Sequence, residues 1–289
     1  WNNRITSHIF VAKFLKLKVK SRTIVDKLRT IRMAESIKME FAVQMTCQSC
    51  VEAVRKSLSS VEGIQIVDIN LEKEQVVVES SLSSAKVKQL IEQTGRPAVL
   101  KGMGSLFADT TESSGGQTTA AVAILEAGSD LIKGVARFVQ KNNSTCIIEG
   151  TVDGLNPGKH ALCIHECGDI SQGCESCGDV FQGLSPKLSE KFAGELGDIT
   201  AAETGRTEFR IETGQVKVWD IIGRSVLIHS LETSQVHRNT PNDNRLVCGI
   251  IARSAGIFQN TKKICSCDGV TIWDERNKPI GGAGRQSKV

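Results

Sequence analysis

The chain has 289 residues, 40% hydrophobic and 24% charged, which suits two domains with packed cores. Its formal net charge of +4 is small and much of it lies in residues 1–32, where Asp26 is the only acid. The remainder is close to neutral and gives no reason to expect nucleic acid or a membrane surface as partner. No apolar run reaches the roughly 18 residues of a membrane span. The ten cysteines are too sparse to staple a disulfide scaffold; eight of them fall in close pairs, which points to metal or redox chemistry in a reducing compartment.

Residues 1–36 are basic, with an irregular apolar pattern (Ile9, Phe10, Val11, Phe14, Leu15, Leu17). They read either as a leader of the mitochondrial targeting kind or as upstream read-through before a start at Met33, in both cases without a fold of their own, and no cleavable secretory signal is evident. Residues 37–102 carry a clearer pattern. Positions 38–45 alternate, with Met39, Phe41 and Val43 on one face, as a strand does. A loop with Thr46 and Cys47 follows, then Val51, Val54 and Leu58 at helical spacing. Gly63 breaks the chain, and residues 64–71 and 75–79 read as paired strands. Ser83 and Ser84 can cap a helix carrying Val87, Leu90 and Ile91, and residues 96–100 close with a strand. The order β-α-β-β-α-β is the ferredoxin-like arrangement.

Residues 103–118, rich in Gly, Ser and Thr, read as a linker. Residues 119–255 hold short strand signals at 120–127, 132–140, 146–152, 161–167, 207–212, 216–222, 225–229 and 246–252. With turns between them and no helical segment, they predict an all-β sandwich or barrel. A tail, residues 256–289, contains Cys265-Ser266-Cys267.

The first chemical motif is Met45-Thr46-Cys47-Gln48-Ser49-Cys50, where the first strand meets the first helix. Two thiols three positions apart converge on one ion when one lies in the loop and the other in the helix's first turn, and the helix N-terminus favours thiolates. Soft thiolates suit Cu(I); zinc calls for four ligands, and no second pair is near in sequence. A thioredoxin-like redox pair and a structural zinc site are the alternatives for a bare Cys-x-x-Cys. In this fold context the motif resembles the heavy-metal-associated domain of copper chaperones and copper-pumping ATPases. The resemblance implies one Cu(I) on Cys47 and Cys50, with Met45 packed beneath the loop.

A second stretch, His160-Ala161-Leu162-Cys163-Ile164-His165-Glu166-Cys167-Gly168-Asp169, resembles a strand of Cu/Zn superoxide dismutases, residues 194–198 resemble a turn of that family, and residues 218–229 and 245–252 resemble its later strands. The likeness covers about residues 119–255 and implies a Greek-key β-barrel or sandwich. The departures matter equally. At the copper positions His165 and His229 remain, but Cys163 and Val180 replace histidines. At the zinc positions stand Val180, Leu188 and Phe192, with Glu195 in place of aspartate. Apolar side chains cannot ligate zinc, so that site is expected to be lost and dismutase activity absent. His165, His229 and Cys163 are either remnants in a partly polar core or a weak copper site.

The same resemblance pairs Cys174 with Cys248 as a disulfide and retains the family's dimer-face segments, with Gly168, Gly223, Arg224, Gly249 and Ile250. Arg245 matches an active-site arginine and is read as structural; Cys146 and Cys177 are read as packing or spare thiols. Cys265 and Cys267 can share one Cu(I) or form an exchangeable disulfide. Heavy-metal domain, dismutase-like domain and Cys-x-Cys tail together resemble the copper chaperones for superoxide dismutase. That implies a non-enzyme that binds Cu(I), docks on a Cu/Zn superoxide dismutase as a heterodimer, delivers copper and promotes the target's disulfide. The expected compartment is the cytoplasm, with a mitochondrial fraction. A homodimer through the same face, a divergent dismutase with a fused loading domain, and a copper buffer without a specific client are the other readings.

Overall fold

The structure is a computed structural model that describes residues 36–104, 119–184, 192–236, 244–260 and 271–275. In the first domain the strands are β1 (Ile37–Val43), β2 (Ile64–Asn70), β3 (Gln75–Ser80) and β4 (Ala98–Gly104); the helices are α1 (Gln48–Ser59) and α2 (Ser84–Glu92). The antiparallel sheet has the order β2-β3-β1-β4. Alternation turns Ile37, Met39, Phe41 and Val43 of β1 toward Val51, Val54 and Leu58 of α1 and Val87 and Ile91 of α2. The Ser83 hydroxyl caps α2 by accepting the Lys86 N–H at 3.3 Å. This is the ferredoxin-like domain expected from the pattern. Its last strand runs to Gly104, two residues beyond position 102.

The second domain contains β5 (Ala120–Leu125), β6 (Lys133–Gln140), β7 (Cys146–Asp153), β8 (Gly158–His165), β9 (Glu195–Ala201), β10 (Thr207–Thr213), β11 (Ser225–His229), β12 (Arg245–Ile250) and β13 (Ala252–Arg253). Two sheets, β10-β7-β6-β5-β13 and β12-β11-β8-β9, enclose a core that includes Phe138, Ile148, Leu162, Ile164, Val226 and Ile228. Two sequence expectations need correction. Residues 216–222, predicted as a strand, contain one helical turn, α3 (Val218–Ile221). Its apolar positions Val218 and Ile221 are three apart and both buried, and the Val218 N–H is taken by the Gln140 side chain at 2.8 Å instead of a neighbouring strand. Of residues 194–198, read as a turn, Gly194 does lie in one, but Glu195–Asp198 begin β9, which pairs along β8 with a register shift between Leu162 and Cys163. That shift breaks the period-two alternation by which a strand shows in sequence.

The domains touch through buried surface. Val139 and Ile147 of the sandwich join the first domain's apolar cluster. The carboxylate of Glu149, on β7, accepts the N–H of Ser84 at the start of α2 (2.9 Å), and Arg210 donates to the Leu82 carbonyl at 3.4 Å. Among the described residues, no helix is long and apolar enough to cross a membrane.

Candidate metal sites

β1 ends at Val43, and a four-residue loop carries the chain to α1, with Cys47 as its extended N-cap residue (φ −158°, ψ 166°). Cys50, in the first turn, is buried beneath Cys47, which is exposed; their sulfurs lie 3.1 Å apart. The Ser49 hydroxyl stands 3.0 Å from the Cys47 sulfur. Hydrogen bonds from the Ser49 side chain, the Cys50 thiol and the Cys50 backbone pull the Cys47 thiol down to about 6. Met45 is buried under the loop. Two sulfurs on opposite sides of one ion, at bonds of about 2.3 Å, would stand roughly 4.5 Å apart, so holding an ion between them would require the pair to widen. Exposed Cys47 is free to make that movement while Cys50 stays anchored. Ser49 was not among the residues singled out from sequence; its only signal there is a hydroxyl placed two residues after the first thiol.

His165 and His229 meet on the outer side of the β8–β11 pair. Their Nε2 atoms are 3.0 Å apart, with the rings stacked at 5.2 Å. His165 Nδ1 lies 2.9 Å from the Gly178 carbonyl, so it carries the proton; its Nε2 then accepts from His229 Nε2–H. His229 Nδ1 is left buried with no partner among the described residues. Burial lowers His165 to about 4, and burial with the neighbouring His165 and Arg245 lowers His229 to about 3. Cys163, two residues before His165, is buried with Ala161, Val180 and Val236, with Phe192 packed alongside. Burial, with Glu195 and Asp198 nearby, pushes its thiol up to about 12. Among the described residues no group of three or more His, Cys, Asp or Glu side chains is arranged to hold a metal. Val180 bridges His165 through backbone and presents only an apolar side chain to this region. The described residues at the zinc positions therefore do not fit zinc; Leu188 lies outside the described residues.

Cys174 and Cys248 are joined by a disulfide across 74 positions, with their Cα atoms 5.6 Å apart. Arg245 supports the same loop by donating to the carbonyls of Cys174 (2.9 Å) and Gly178 (2.8 Å). Cys177 is buried beside the disulfide, and Cys146 is buried in the core. The residues predicted to form a partner face do converge. Gly168 lies against the Gly223 carbonyl where a side chain would collide, and Gly249 lies equally close to the Ile124 carbonyl. The Ile251 N–H donates to the Arg224 carbonyl at 2.8 Å. Arg224 binds Glu166 at 2.6 Å and covers the Phe181 ring. Ile124 and Ile250 point outward, 42% and 38% exposed. Cys265 and Cys267 lie outside the described residues.

A reachable thiol pair at a helix N-terminus of a ferredoxin-like domain, packed against a two-sheet β-sandwich, points to a protein that handles metal. Residues 40–97 match the heavy-metal-associated domain family and residues 132–251 the copper/zinc superoxide dismutase family. The copper chaperone for superoxide dismutase of Mus musculus is 51% identical over 263 residues, covering 87% of this chain and 93% of that protein. The Homo sapiens protein of the same name is 50% identical with the same coverage. The superoxide dismutase 1 copper chaperone of Saccharomyces cerevisiae is 29% identical, covering 83% and 94%. The chain belongs to the copper chaperones for superoxide dismutase, whose members named here are chaperones and not dismutases.

Proposed function

We propose that the protein takes up Cu(I) on Cys47 and Cys50 and delivers it to a Cu/Zn superoxide dismutase. The observation that carries this reading is the thiol pair itself: one exposed sulfur lowered to about 6, one buried sulfur 3.1 Å behind it, both at a helix N-terminus. Such a pair binds a soft ion and still admits an incoming thiolate, so that copper moves by ligand exchange without release. The target is recognised as a heterodimer through the face that includes Gly168, Gly223, Arg224, Gly249 and Ile250, where outward apolar side chains sit beside close-packed glycine backbone. The same face would serve a homodimer of the free protein.

The sandwich itself is a recognition module. Val180 and Phe192 are apolar where zinc would need ligands, and the facing Nε2 atoms of His165 and His229 are bonded to one another. In the tail, Cys265 and Cys267 pass copper on; as a disulfide they exchange with the target's thiol pair, which loses two electrons as the tail disulfide becomes two thiols. The six free cysteines among the described residues suit a reducing compartment, and we place the protein in the cytoplasm with a mitochondrial fraction.

The test is superoxide scavenging by Cu(I)-loaded protein, alone and mixed with reduced, zinc-loaded, copper-free dismutase under a copper chelator. Activity only in the mixture, abolished by Cys47→Ser/Cys50→Ser and by Cys265→Ser/Cys267→Ser, is the expected result. Activity of the chain alone would make it a divergent dismutase. Chelator-resistant copper that never reaches the dismutase would make it a buffer.

A further inference from the structure

The first sheet carries its helices on one face, so the other face should be open. Register places Glu40 of β1 between Val77 of β3 and Gly102 of β4, and Lys38 between Glu79 and Gly104, all on that second face. Alternation alone would put Glu40 in water, yet it is 1% exposed. The stretch that follows the sandwich lies over it. The Gly256 carbonyl occupies the space a side chain at Gly102 would need, and Ile257 Cγ1 comes within 3.1 Å of where a Cβ at Gly104 would stand. The Phe258 N–H donates to Glu40 Oε2 at 2.6 Å. Glu40 Oε1 accepts from Gln75 Nε2 at 2.7 Å and faces the Lys101 ammonium at 3.6 Å. Asn260 Nδ2 donates to the Lys101 carbonyl at 3.2 Å, and the Gly256 N–H is taken by the Gln259 side chain at 2.9 Å.

Two features show that this contact is built. Phe258 holds φ 63°, a left-handed conformation that is costly for a residue with a Cβ. Its ring is 60% exposed, so packing of the ring does not offset that cost; the conformation serves to aim the N–H at the carboxylate. The acceptor must also be a carboxylate. Three donors, from Gln75, Phe258 and Lys101, converge on two oxygens, whereas a Gln side chain would offer one oxygen and turn an NH2 group toward a donor.

We propose that Glu40, Gly102 and Gly104 form a docking site on the metal-binding domain for residues 256–260 of the same chain. Glu40 is its positioning residue, and the site roots the C-terminal segment on the domain that carries copper. Cys265 follows Asn260 by five residues in sequence, so the chain that leads to the tail thiols leaves from the contact with the first domain. A tail held this way meets the loading domain at a high effective concentration, and the two move to a target as one unit. The consequence for delivery rests on the role proposed above for the tail thiols; the docking does not.

Hydrogen exchange at Phe258 in the full chain reads the docking directly, and activation of copper-free dismutase reads its use. In Glu40→Gln the Phe258 amide should exchange on the order of ten- to a hundredfold faster, with Cu(I) binding at Cys47 and Cys50 unchanged. Gly102→Val attacks from the other side. A β-branched residue suits the strand and leaves the first sheet firm, but it occupies the place of the Gly256 carbonyl, so Phe258 should loosen equally. In both variants activation at low protein concentration should slow several-fold. Unchanged Phe258 exchange in both variants would overturn the docking site. Loosened exchange with undiminished activation would overturn the positioning role of Glu40. Full activation by Cys265→Ser/Cys267→Ser, with Phe258 protection intact, would instead remove the tail thiols from delivery and leave the docking standing.

Discussion

Cys47 and Cys163 are the same chemical group in opposite surroundings. Cys47 is exposed at a helix N-terminus, and hydrogen bonds from Ser49 and Cys50 bring it down to about 6. Cys163 is sealed under Val180 and Val236, and burial with two nearby carboxylates drives it up to about 12. The first is largely thiolate at neutral pH and can be reached by another thiol; the second is neither. His165 and His229 share the second environment: burial keeps them neutral, and their facing nitrogens are spent on one another. Residue types that bind copper are therefore not sufficient. A site that trades a metal needs charge on the ligand and access to it, and of these two only the loop of the first domain has both.

The largest effect should come from removing that charge. Cys47→Ser/Cys50→Ser should abolish stoichiometric Cu(I) binding by the first domain in a competition titration against a chelator, whereas Cys163→Ser should leave the stoichiometry unchanged. Loss of bound copper in Cys163→Ser would place cargo in the sandwich and break the contrast.

Next in size is the disulfide that closes the sandwich loop. Cys174→Ala, read by chemical denaturation, should cost about 4 kcal/mol by the loop-entropy estimate for a bridge spanning 74 positions. The bridged loop also carries the Gly178 carbonyl that fixes His165 and is held by Arg245. Loosening it should therefore speed labelling of Cys163 by a thiol reagent. Full stability in the variant would mean that Arg245 and packing hold the loop without the bridge.

Acid tests the buried histidines. Their folded pKa values, about 4 and about 3, lie below the unfolded value near 6.5. The unfolded chain then takes up protons first, so their contribution is intact above pH 6.5 and is lost as pH falls toward 4. For His165 alone the loss is about 3 kcal/mol. A His165→Phe/His229→Leu variant should show a flatter acid limb in urea denaturation; an unchanged limb would assign acid sensitivity to other groups.

Much of this was readable from sequence because it is local. The alternation of Met39, Phe41 and Val43, the helical spacing of Val51, Val54 and Leu58, and Cys47 and Cys50 at their junction all lie within about twenty residues. The rest depends on distant contacts. His165 and His229 are 64 positions apart, so their mutual hydrogen bond has no sequence signature. The helical turn at Val218 is selected by Gln140, 78 positions away. Glu40 sits where alternation predicts solvent, and the returning chain at Gly256–Phe258, distant in sequence, helps to cover it. Ser49 was in plain view within the motif, but a hydroxyl between two cysteines signals nothing until its distance to a sulfur is known.

The smallest effect is the sharpest probe of what sets Cys47 apart. Ser49 is the first cause of its lowered pKa, ahead of the Cys50 thiol and backbone, and burial opposes them only weakly at this exposed sulfur. Metal and proton compete for the same lone pair, so the share of the pH dependence of Cu(I) affinity that Cys47 contributes should level off above about pH 6 and should grow as the pH drops below it. Ser49→Ala removes the leading donor, leaves Cys50 in place and touches neither sulfur. The bend in the affinity curve should move to higher pH, with about a twofold loss at pH 7 and a larger one at pH 6. Ser49→Thr, which keeps a hydroxyl, should restore the original bend. If Ser49→Ala weakens binding equally at every pH, the hydroxyl shapes the loop and does not stabilise the thiolate. The contrast with Cys163 would then rest on exposure alone.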